Sequence, residues 1–285
     1  MTDTVDVRVD SRTGARTYVV GSRQERPNLP AASCPFCPGG LEAPGDYDVR
    51  WFPNRWPAMP GGRCEVILYT PEHDATFWSL GVAGARRVID LWAQRSAELG
   101  ARPDVAYVLV FENRGADVGA TITHPHGQIY AFDFVPELPR RELERGELFG
   151  EPGTRLVASA RGWRAWVPEA PTFPYALLLV PDDQVPDLPS LDGAGRDGLA
   201  QLLVDVLERL DRLFDAHTPY MLWIHQRPFD GGDWPHARLH VEIVSPWRAA
   251  GVTRYVAAGE LGSGVFFNPV PPEEAARSLR EALPA

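Results

Sequence analysis

The sequence of 285 residues contains no lysine, so all 28 of its basic side chains are arginines. This absence excludes enzymes that need a Schiff-base lysine, a pyridoxal phosphate linkage or a P-loop lysine. Any phosphate that the protein binds must therefore be met by arginine, histidine, backbone N–H groups, neutral side chains or a metal.

Cysteine is scarce as well, and three residues, Cys34, Cys37 and Cys64, argue against a disulfide framework. No apolar run reaches the length of about 18 residues that a membrane span needs. The start of the chain, Met1-Thr2-Asp3-Thr4, has no signal-peptide pattern. With a net charge of −10, non-specific binding of nucleic acid is not expected. We expect a cytoplasmic protein that binds neither membranes nor nucleic acid.

Hydrophobic periodicity predicts strands and helices in an order that occurs twice. The first series has strands at 64–70, 107–112 and 126–134 and a helix at 78–99. The second has strands at 175–181, 220–225 and 239–243 and a helix at 198–214. In this alignment Leu239–Ile243 corresponds to Thr123–Gly127, so that His240 matches His124. We predict an α+β fold of two tandem half-domains, 1–150 and 151–285, each an antiparallel sheet with packed helices.

The strongest local motif is THPHGQIY at 123–130, in which His124 and His126 flank a proline. A single histidine is usually a hydrogen-bonded core residue. Two of the seven histidines in one short segment, followed by Gly-Gln, favour a different arrangement. We expect the structure to hold one ring while the other faces a substrate.

Two further groups of side chains have the chemistry of metal ligands. Cys34-x-x-Cys37 can supply two ligands to a tetrahedral zinc, with His73 and His124 as candidate partners; a redox role is disfavoured because no helix follows to lower a thiol pKa. His225, His240 and Glu242 can form a second divalent-metal site or a hydrogen-bonded core cluster. The residues by themselves favour the core cluster.

The stretch FENRGADVG at 111–119, followed by HPHGQ at 124–128, closely resembles the galactose-1-phosphate uridylyltransferase family. This family is a branch of the histidine-triad superfamily built from two repeated half-domains. The resemblance runs from Arg23 to the segment that begins at Pro271. It implies a homodimeric enzyme of galactose metabolism that exchanges UMP between UDP-glucose and galactose 1-phosphate. The implied mechanism is double displacement through a nucleotidyl-histidine.

The resemblance also implies roles for individual residues. It makes His126 the nucleophile and Gln128 the contact to the reacting phosphoryl group. It implies a zinc site at Cys34, Cys37, His73 and His124. It implies a second, structural metal, iron or a second zinc, at Glu142, His225 and His240, where Glu242 stands in place of the third histidine. The implied substrate-binding residues are Arg23, Arg26, Phe52, Asn54, Asn113, Gly119, Thr121, Gln128, Arg254, Tyr255 and Glu260.

Three alternatives stay open at the level of sequence. A phosphorylase or hexose-1-phosphate nucleotidyltransferase that uses ADP- or GDP-sugars is one, because the segment 262–268 departs from the family pattern. A histidine-triad nucleotide hydrolase is disfavoured by Gln128, since a neutral amide does not readily supply a proton. A zinc-stabilised nucleotide-binding protein without turnover predicts binding but no adduct on His126.

Overall fold

The computed structural model describes residues 5–25, 33–146 and 149–283. The strands are β1 Asp6–Val9, β2 Arg16–Val19, β3 Arg50–Pro53, β4 Cys64–Leu68, β5 Tyr107–Arg114, β6 His126–Phe132, β7 Leu156–Ala160, β8 Trp163–Trp166, β9 Leu177–Pro181, β10 Tyr220–His225, β11 His240–Val244, β12 Trp247–Ala249 and β13 Val252–Thr253. The helices are α1 Gly81–Gly100, α2 Glu137–Arg145, α3 Gly193–Phe214, α4 Ala258–Ser263 and α5 Pro272–Ala282.

Within these ranges, nine strands form one antiparallel sheet in the order β3-β4-β6-β5-β10-β11-β9-β8-β7. The central pair is β5 with β10, so the two repeats join edge to edge in a continuous sheet. Helices α1 and α3 pack together over one face and bury the main apolar core there. The predicted α+β class is confirmed.

The boundaries of the long helices follow from local sequence. Helix α1 buries Val88, Ile89, Trp92 and Leu99 on one stripe and ends at Gly100, as the periodicity predicts. Helix α3 starts at Gly193, five residues before the predicted start, because the Asp192 carboxylate accepts a hydrogen bond from the Gly195 N–H at 2.7 Å. This N-cap lets the helix begin in a glycine-rich stretch that periodicity alone reads as loop.

The duplication is present, but the alignment expected from sequence was wrong in register. Gln128 pairs with Val66 and Phe111 in the first repeat, and Glu242 pairs with Leu178 and Trp223 in the second. Equivalent positions are therefore His126 and His240, not His124 and His240. The order of elements was visible in the sequence, whereas the register depends on cross-strand pairing.

Periodicity did not identify the three shorter helices. Helix α5 packs Ala275, Ala276 and Leu279 against α3, and α2 lies between β6 and β7, near the predicted boundary at residue 150. Across the described residues, no helix is both long and apolar enough to cross a membrane.

Candidate functional site

The face of the sheet opposite α1 and α3 carries the predicted catalytic residues. His126 begins β6, and Gln128 follows two residues later, so both side chains point to the same side of the strand. Both are half-buried, whereas the intervening Gly127 is buried. This places an imidazole and a neutral amide side by side on an accessible surface.

One hydrogen bond fixes the orientation of the His126 ring. Its Nδ1 lies 2.8 Å from the backbone carbonyl oxygen of His124. A carbonyl oxygen can only accept a hydrogen bond, so Nδ1 is the donor. The proton is thereby assigned to Nδ1, and the lone pair is on Nε2. The ring of Phe36 packs edge-on against it, with ring centroids 5.1 Å apart. In the neutral form of the ring, His126 therefore presents Nε2 as the atom that can act as a nucleophile.

Neighbouring strands place several predicted substrate residues around this pair. The Asn54 amide Nδ2 donates to Gln128 Oε1 at 3.3 Å, which turns the Gln128 amide nitrogen away from Asn54. Phe52 on β3 and Phe111 on β5 continue the cross-strand row that contains Gln128. Asn113 follows Phe111 by two residues on β5, so its side chain is on the same face of the sheet. The structure thus brings Phe52, Asn54, Asn113, His126 and Gln128 together.

The glycine-rich loop after β5 has a defined turn conformation. Gly119 has a φ of +82°, in the left-handed region that favours glycine, and the Ala120 N–H donates to the Gly115 carbonyl at 3.1 Å. Ile122, the neighbour of Thr121, packs with Phe36 in the small apolar cluster beside His126. The loop holding Gly119 and Thr121 therefore returns the chain to the catalytic face.

The four predicted zinc ligands also come together. One ligand atom each from Cys34, Cys37, His73 and His124 lies within 4.8 Å of the others. Cys37 Sγ is 3.5 Å from His73 Nδ1 and 3.7 Å from His124 Nδ1. Zn–S bonds of about 2.3 Å and Zn–N bonds of about 2.0 Å at tetrahedral angles give a sulfur–nitrogen separation of about 3.5 Å. The spacing fits a tetrahedral zinc ion.

Tyr47, which the sequence did not single out, supports this cluster. Its hydroxyl lies 3.0 Å from His124 Nε2 and donates to the carbonyl of Phe36 or Thr70, at 2.7 and 2.9 Å. His124 Nε2 is itself 2.8 Å from the Thr70 carbonyl, so it carries the proton and leaves Nδ1 for a metal. No spacing signal connects Tyr47 to the motif, because the contact depends on the fold.

The protonation chemistry of the cluster also suits a cation. Burial lowers the pKa of His124, although the Thr70 carbonyl opposes it, so the ring is neutral and able to ligate. Burial raises the pKa of the Cys37 thiol, and Cys34 beside it raises that pKa further. A divalent cation between the sulfurs would reverse this effect and hold both as thiolates.

A second cluster occupies the other half of the sheet. Ligand atoms of Glu142, His225, His240 and Glu242 also lie within 4.8 Å of one another. Glu142 Oε2 is 2.7 Å from His225 Nδ1 and 3.5 Å from His240 Nε2. Glu242 Oε1 is 3.7 and 4.0 Å from the same two nitrogens. The two carboxylates and two imidazoles converge on one point, as metal ligands or as paired charges.

The charges in this second cluster stabilise one another. Burial alone would raise the pKa of Glu142, but hydrogen bonds from His225 and His240 outweigh it and lower that pKa to about 2. Burial would lower the pKa of His240, yet Glu142 and then Glu242 raise it. Trp223 holds Glu242 through a hydrogen bond from its Nε1 at 3.0 Å.

Of the described arginines and C-terminal residues predicted to bind substrate, only some lie near the strand that carries Gln128. Arg23 Nη1 donates to the Tyr130 hydroxyl at 3.4 Å, on the strand that carries Gln128. Arg26 lies outside the described residues. Arg254 is buried and pairs with Glu260, while Tyr255 is 81% exposed. The interactions described for Arg254 and Glu260 hold the segment 254–267 together.

Two contacts link that C-terminal segment to the glycine-rich loop after β5. Asp117, beside Gly119, accepts a hydrogen bond from the Trp247 indole N–H at 2.7 Å. Thr253 contacts the same carboxylate oxygen at 3.4 Å. The chain leading to Arg254 and Tyr255 is thereby tied to the loop near the catalytic face, a link that sequence spacing does not reveal.

Two family models together match most of the chain. Residues 55–136 match the family model for the galactose-1-phosphate uridyl transferase N-terminal domain, and residues 126–282 match the model for its C-terminal domain. The galactose-1-phosphate uridylyltransferase of Thermotoga maritima is 33% identical, covering 97% of this chain and 98% of its own. That of Streptomyces lividans is 36% identical, covering 98% and 92%. A solved uridylyltransferase superposes with a TM-score of 0.88 at 29% identity, covering 97% and 98%.

Proposed function

The chain belongs to the galactose-1-phosphate uridylyltransferase family, and on that premise we propose that it moves a uridylyl group between UDP-glucose and galactose 1-phosphate through a covalent intermediate on His126. The observation that carries this proposal is the His126 ring, oriented by the His124 carbonyl, beside the neutral amide of Gln128.

In the first half-reaction, His126 Nε2 attacks the α-phosphorus of UDP-glucose. The bond from that phosphorus to the bridging oxygen breaks, and glucose 1-phosphate leaves with the electron pair. The ring, still protonated on Nδ1, becomes positively charged when Nε2 bonds to phosphorus. The His124 carbonyl at 2.8 Å stabilises this charge. No proton has to move in this step.

In the second half-reaction, a phosphate oxygen of galactose 1-phosphate attacks the same phosphorus and the P–N bond breaks. This forms UDP-galactose and returns His126 to its neutral state. Gln128 stabilises the phosphoryl oxygens in both steps, because its Oε1 is engaged by Asn54 and its amide N–H groups remain as donors. A carboxylate at this position would repel the phosphoryl oxygens, and a proton donor would favour hydrolysis.

The substrate roles of the surrounding residues are part of the proposal. Phe52, Asn54 and Asn113 border the reacting pair, and the loop with Gly119 and Thr121 would supply backbone donors for phosphate. Arg23 lies on the same face of the sheet as Gln128 and would meet phosphate charge. Arg254, Tyr255 and Glu260 stay candidate sugar-site residues, reached from the loop through Asp117.

The test uses UDP-glucose labelled in the uridylyl group. We expect the protein alone to take up the label in an acid-labile, base-stable bond on His126 and to release it as UDP-galactose when galactose 1-phosphate is added. Release of free UMP instead would indicate a hydrolase, and binding without an adduct would indicate a protein without turnover. Parallel assays with ADP- and GDP-sugars test the base, for which the relatives favour uridine.

We also propose zinc at Cys34, Cys37, His73 and His124. Zinc there would fix the backbone of His124, whose carbonyl orients the His126 ring. The role of the zinc ion would therefore be to position the nucleophile. Cys37→Ser should remove the zinc measured by elemental analysis, whereas Cys64→Ser is the matched control because Cys64 is buried outside the cluster. Equal zinc content in both variants would contradict the assignment.

Glu142, His225, His240 and Glu242 would hold a second ion, iron or a second zinc, in the other half. The donor set of two imidazoles and two carboxylates fits a divalent transition metal and adds structural stability there. Metal analysis of His225→Ala beside Cys37→Ser separates the two sites. Unchanged metal content in His225→Ala would leave a hydrogen-bonded charge cluster in its place.

A homodimer and a cytoplasmic location complete the proposal. The segment after β13 leaves large apolar side chains exposed, among them Tyr255 at 81%, Leu261 at 74% and Phe267 at 69%, and such a patch supports a subunit interface. Light scattering after size exclusion measures the assembly. A reducing compartment is supported by the thiol pair at Cys34 and Cys37, since zinc binding needs both thiols reduced.

A further inference from the structure

A buried polar cluster lies behind the nucleophile, on the helix side of the sheet. It consists of Tyr69 at the end of β4, Glu112 on β5 and Tyr220 on β10, all at most 4% exposed. The Tyr220 hydroxyl donates to Glu112 Oε1 at 2.7 Å. The Tyr69 ring packs edge-on against Trp92 of α1, with centroids 5.8 Å apart. None of these side chains faces the substrate side.

Packing alone does not account for these groups. Among the side chains that the structure describes, the Tyr69 hydroxyl, Glu112 Oε2 and Trp92 Nε1 are buried without a hydrogen bond of good geometry, although the Tyr69 hydroxyl is close enough to interact with both Glu112 and Trp92. The Glu112 carboxylate is near enough to Tyr69 to raise its pKa beyond the effect of burial. Burying polar atoms without partners lowers stability, and an apolar core at this place would avoid the cost.

The Tyr69 hydroxyl touches the backbone that carries the nucleophile. A methyl group added to Gly127 would lie 2.1 Å from the Tyr69 hydroxyl oxygen, 3.0 Å from its ring carbon Cζ and 3.1 Å from the Phe111 carbonyl oxygen. The φ of Gly127 is not positive, so space and not backbone conformation requires the glycine. The Tyr69 N–H also donates to the Pro125 carbonyl at 3.3 Å. Tyr69 therefore contacts the residues on both sides of His126.

The other half of the molecule shows what the fold requires at these positions. By the strand registers, Gly127 corresponds to Val241, Glu112 to Ile224 and Tyr69 to Pro181. Val241 and Ile224 are fully buried apolar residues. The second half thus builds the same strand, with a histidine at its start, on ordinary apolar packing. The polar cluster is therefore a feature of the half that carries His126, and the fold itself does not require it.

We propose that Tyr69, whose ring packs against Trp92 and whose hydroxyl lies beside Gly127, is a positioning residue that sets the place of Gly127, so that His126 and Gln128 meet the same phosphoryl group. The inference rests on the proposed uridylyl transfer. His126 and Gln128 are separated by one residue of strand, so a small displacement of Gly127 changes the angle between their side chains. A misplacement of about 1 Å at a reacting group can cost about 10²-fold in rate.

The experiment measures the single-turnover rate of adduct formation on His126 in Tyr69→Phe, in Gly127→Ala and in the variant with both changes. We expect Gly127→Ala to slow the step by about 10²-fold and Tyr69→Phe by about tenfold, both with little change in the Kd for UDP-glucose. Because Tyr69→Phe removes the nearest atom from the added methyl, the double variant should be at least about threefold faster than Gly127→Ala. Additive losses would overturn the proposal.

Two controls separate positioning from general damage. Gly100→Ala introduces a comparable clash, since its methyl would lie 2.2 Å from the Phe229 ring at the far end of α1. Tyr107→Phe removes another buried hydroxyl on β5, which accepts a hydrogen bond from the Gln226 N–H at 3.3 Å. Both should lower thermal stability and leave the adduct rate per folded molecule unchanged. Equal slowing in the controls would refute a positioning role.

A second readout does not depend on turnover. If the wild-type chain forms no adduct, the proposed function fails, and the ¹⁵N resonance of His126 Nδ1 still tests the inference. We expect this resonance to shift in Gly127→Ala and to return towards the wild-type position in the double variant. Tyr69→Phe supplies the same test if Gly127→Ala does not fold, because it removes only the hydroxyl and keeps the ring packed against Trp92. An Nδ1 resonance indifferent to both changes would overturn the proposal.

Discussion

The two halves of the sheet place equivalent histidines in equivalent geometry and surround them with different chemistry. His126 Nδ1 lies 2.8 Å from the carbonyl two residues earlier, and His240 Nδ1 lies 2.9 Å from the carbonyl of Arg238, also two residues earlier. Two residues beyond each histidine stands Gln128 in the first half and Glu242 in the second. The repeat therefore supplies an oriented imidazole twice, and its neighbours decide the use.

The difference in charge explains why the uses diverge. Two residues beyond His126, on the same face of the strand, stands the neutral amide of Gln128, which can stabilise phosphoryl oxygens. Around His240, Glu142 and Glu242 lie within 4.0 Å of the ring nitrogen. Two carboxylates attract a cation and repel a phosphate. On the proposed function, the same scaffold offers the uridylyl group a neutral amide in one half and a cation two carboxylates in the other.

The largest effect should come from removing each histidine in turn. His126→Ala should lower exchange of UDP-glucose with galactose 1-phosphate by about 10⁴-fold or more, because the nucleophile is lost. His240→Ala should stay within about threefold of wild type per folded molecule, because it contacts no reacting atom. Both rates are measured in the same isotope-exchange assay.

The comparison breaks if the two variants behave alike. Full activity of His126→Ala would remove the nucleophile assignment. A loss in His240→Ala as large as that in His126→Ala, with a normal thermal transition, would mean that the second half takes part in the chemistry.

The next effect comes from giving the first half the side chain of the second. Gln128→Glu should slow adduct formation by about 10²–10³-fold, since a carboxylate replaces a donor beside the phosphoryl oxygens. Quenched-flow measurement with labelled UDP-glucose gives the rate. An adduct rate within a factor of about two of wild type would show that a neutral amide is not required here.

The sequence predicted which residues come together better than it predicted their geometry. The HPHGQ segment and the Cys-x-x-Cys pair predicted a reactive histidine and a metal site, because catalytic and metal chemistry restrict residue types at short spacing, and the family resemblance then predicted the roles of His126, Gln128 and the ligands. The order of strands and helices was also readable from periodicity. Short motifs and the order of strands and helices depend on residues that are near one another in the chain, so they can be predicted from a single sequence.

The contacts that needed the fold were not predictable. Tyr47 reaches His124 across 77 residues, and Tyr220 reaches Glu112 across 108. The equivalence of His126 with His240 needed the strand registers, since a shift of two residues leaves the apolar pattern of a strand unchanged. Long-range pairing carries this information, and a single sequence does not display it.

Glu112 should give the next largest effect, on stability, in the half that carries the nucleophile. Burial raises its pKa to about 7, against the hydrogen bond from Tyr220 and the charge of Arg114. The folded carboxyl therefore keeps its proton while the unfolded one ionises. Stability should fall as pH rises from about 4.5 to 7, by at most about 3 kcal/mol.

Glu112→Gln removes this titration and should flatten that part of the profile, because the amide is neutral throughout. Urea unfolding at pH 5, 6, 7 and 8 measures the difference. Ile224 at the equivalent position of the second half offers the matched site, and Ile224→Val should lower stability equally at every pH. A parallel fall in wild type and Glu112→Gln would assign the titration to another group.

The smallest effect should come from giving the second half the side chain of the first. Glu242→Gln gives it the side chain of Gln128 and removes one anionic ligand while keeping the shape that Trp223 holds. Metal affinity of the second site should fall by about 10–100-fold, and exchange activity should not change. No uridylyl adduct should form on His240, because Glu142 still lies 3.5 Å from its Nε2 and still repels phosphate. An adduct on His240 would show that residue 242 alone separates the two halves; its absence, with weakened metal binding, assigns the separation jointly to both carboxylates.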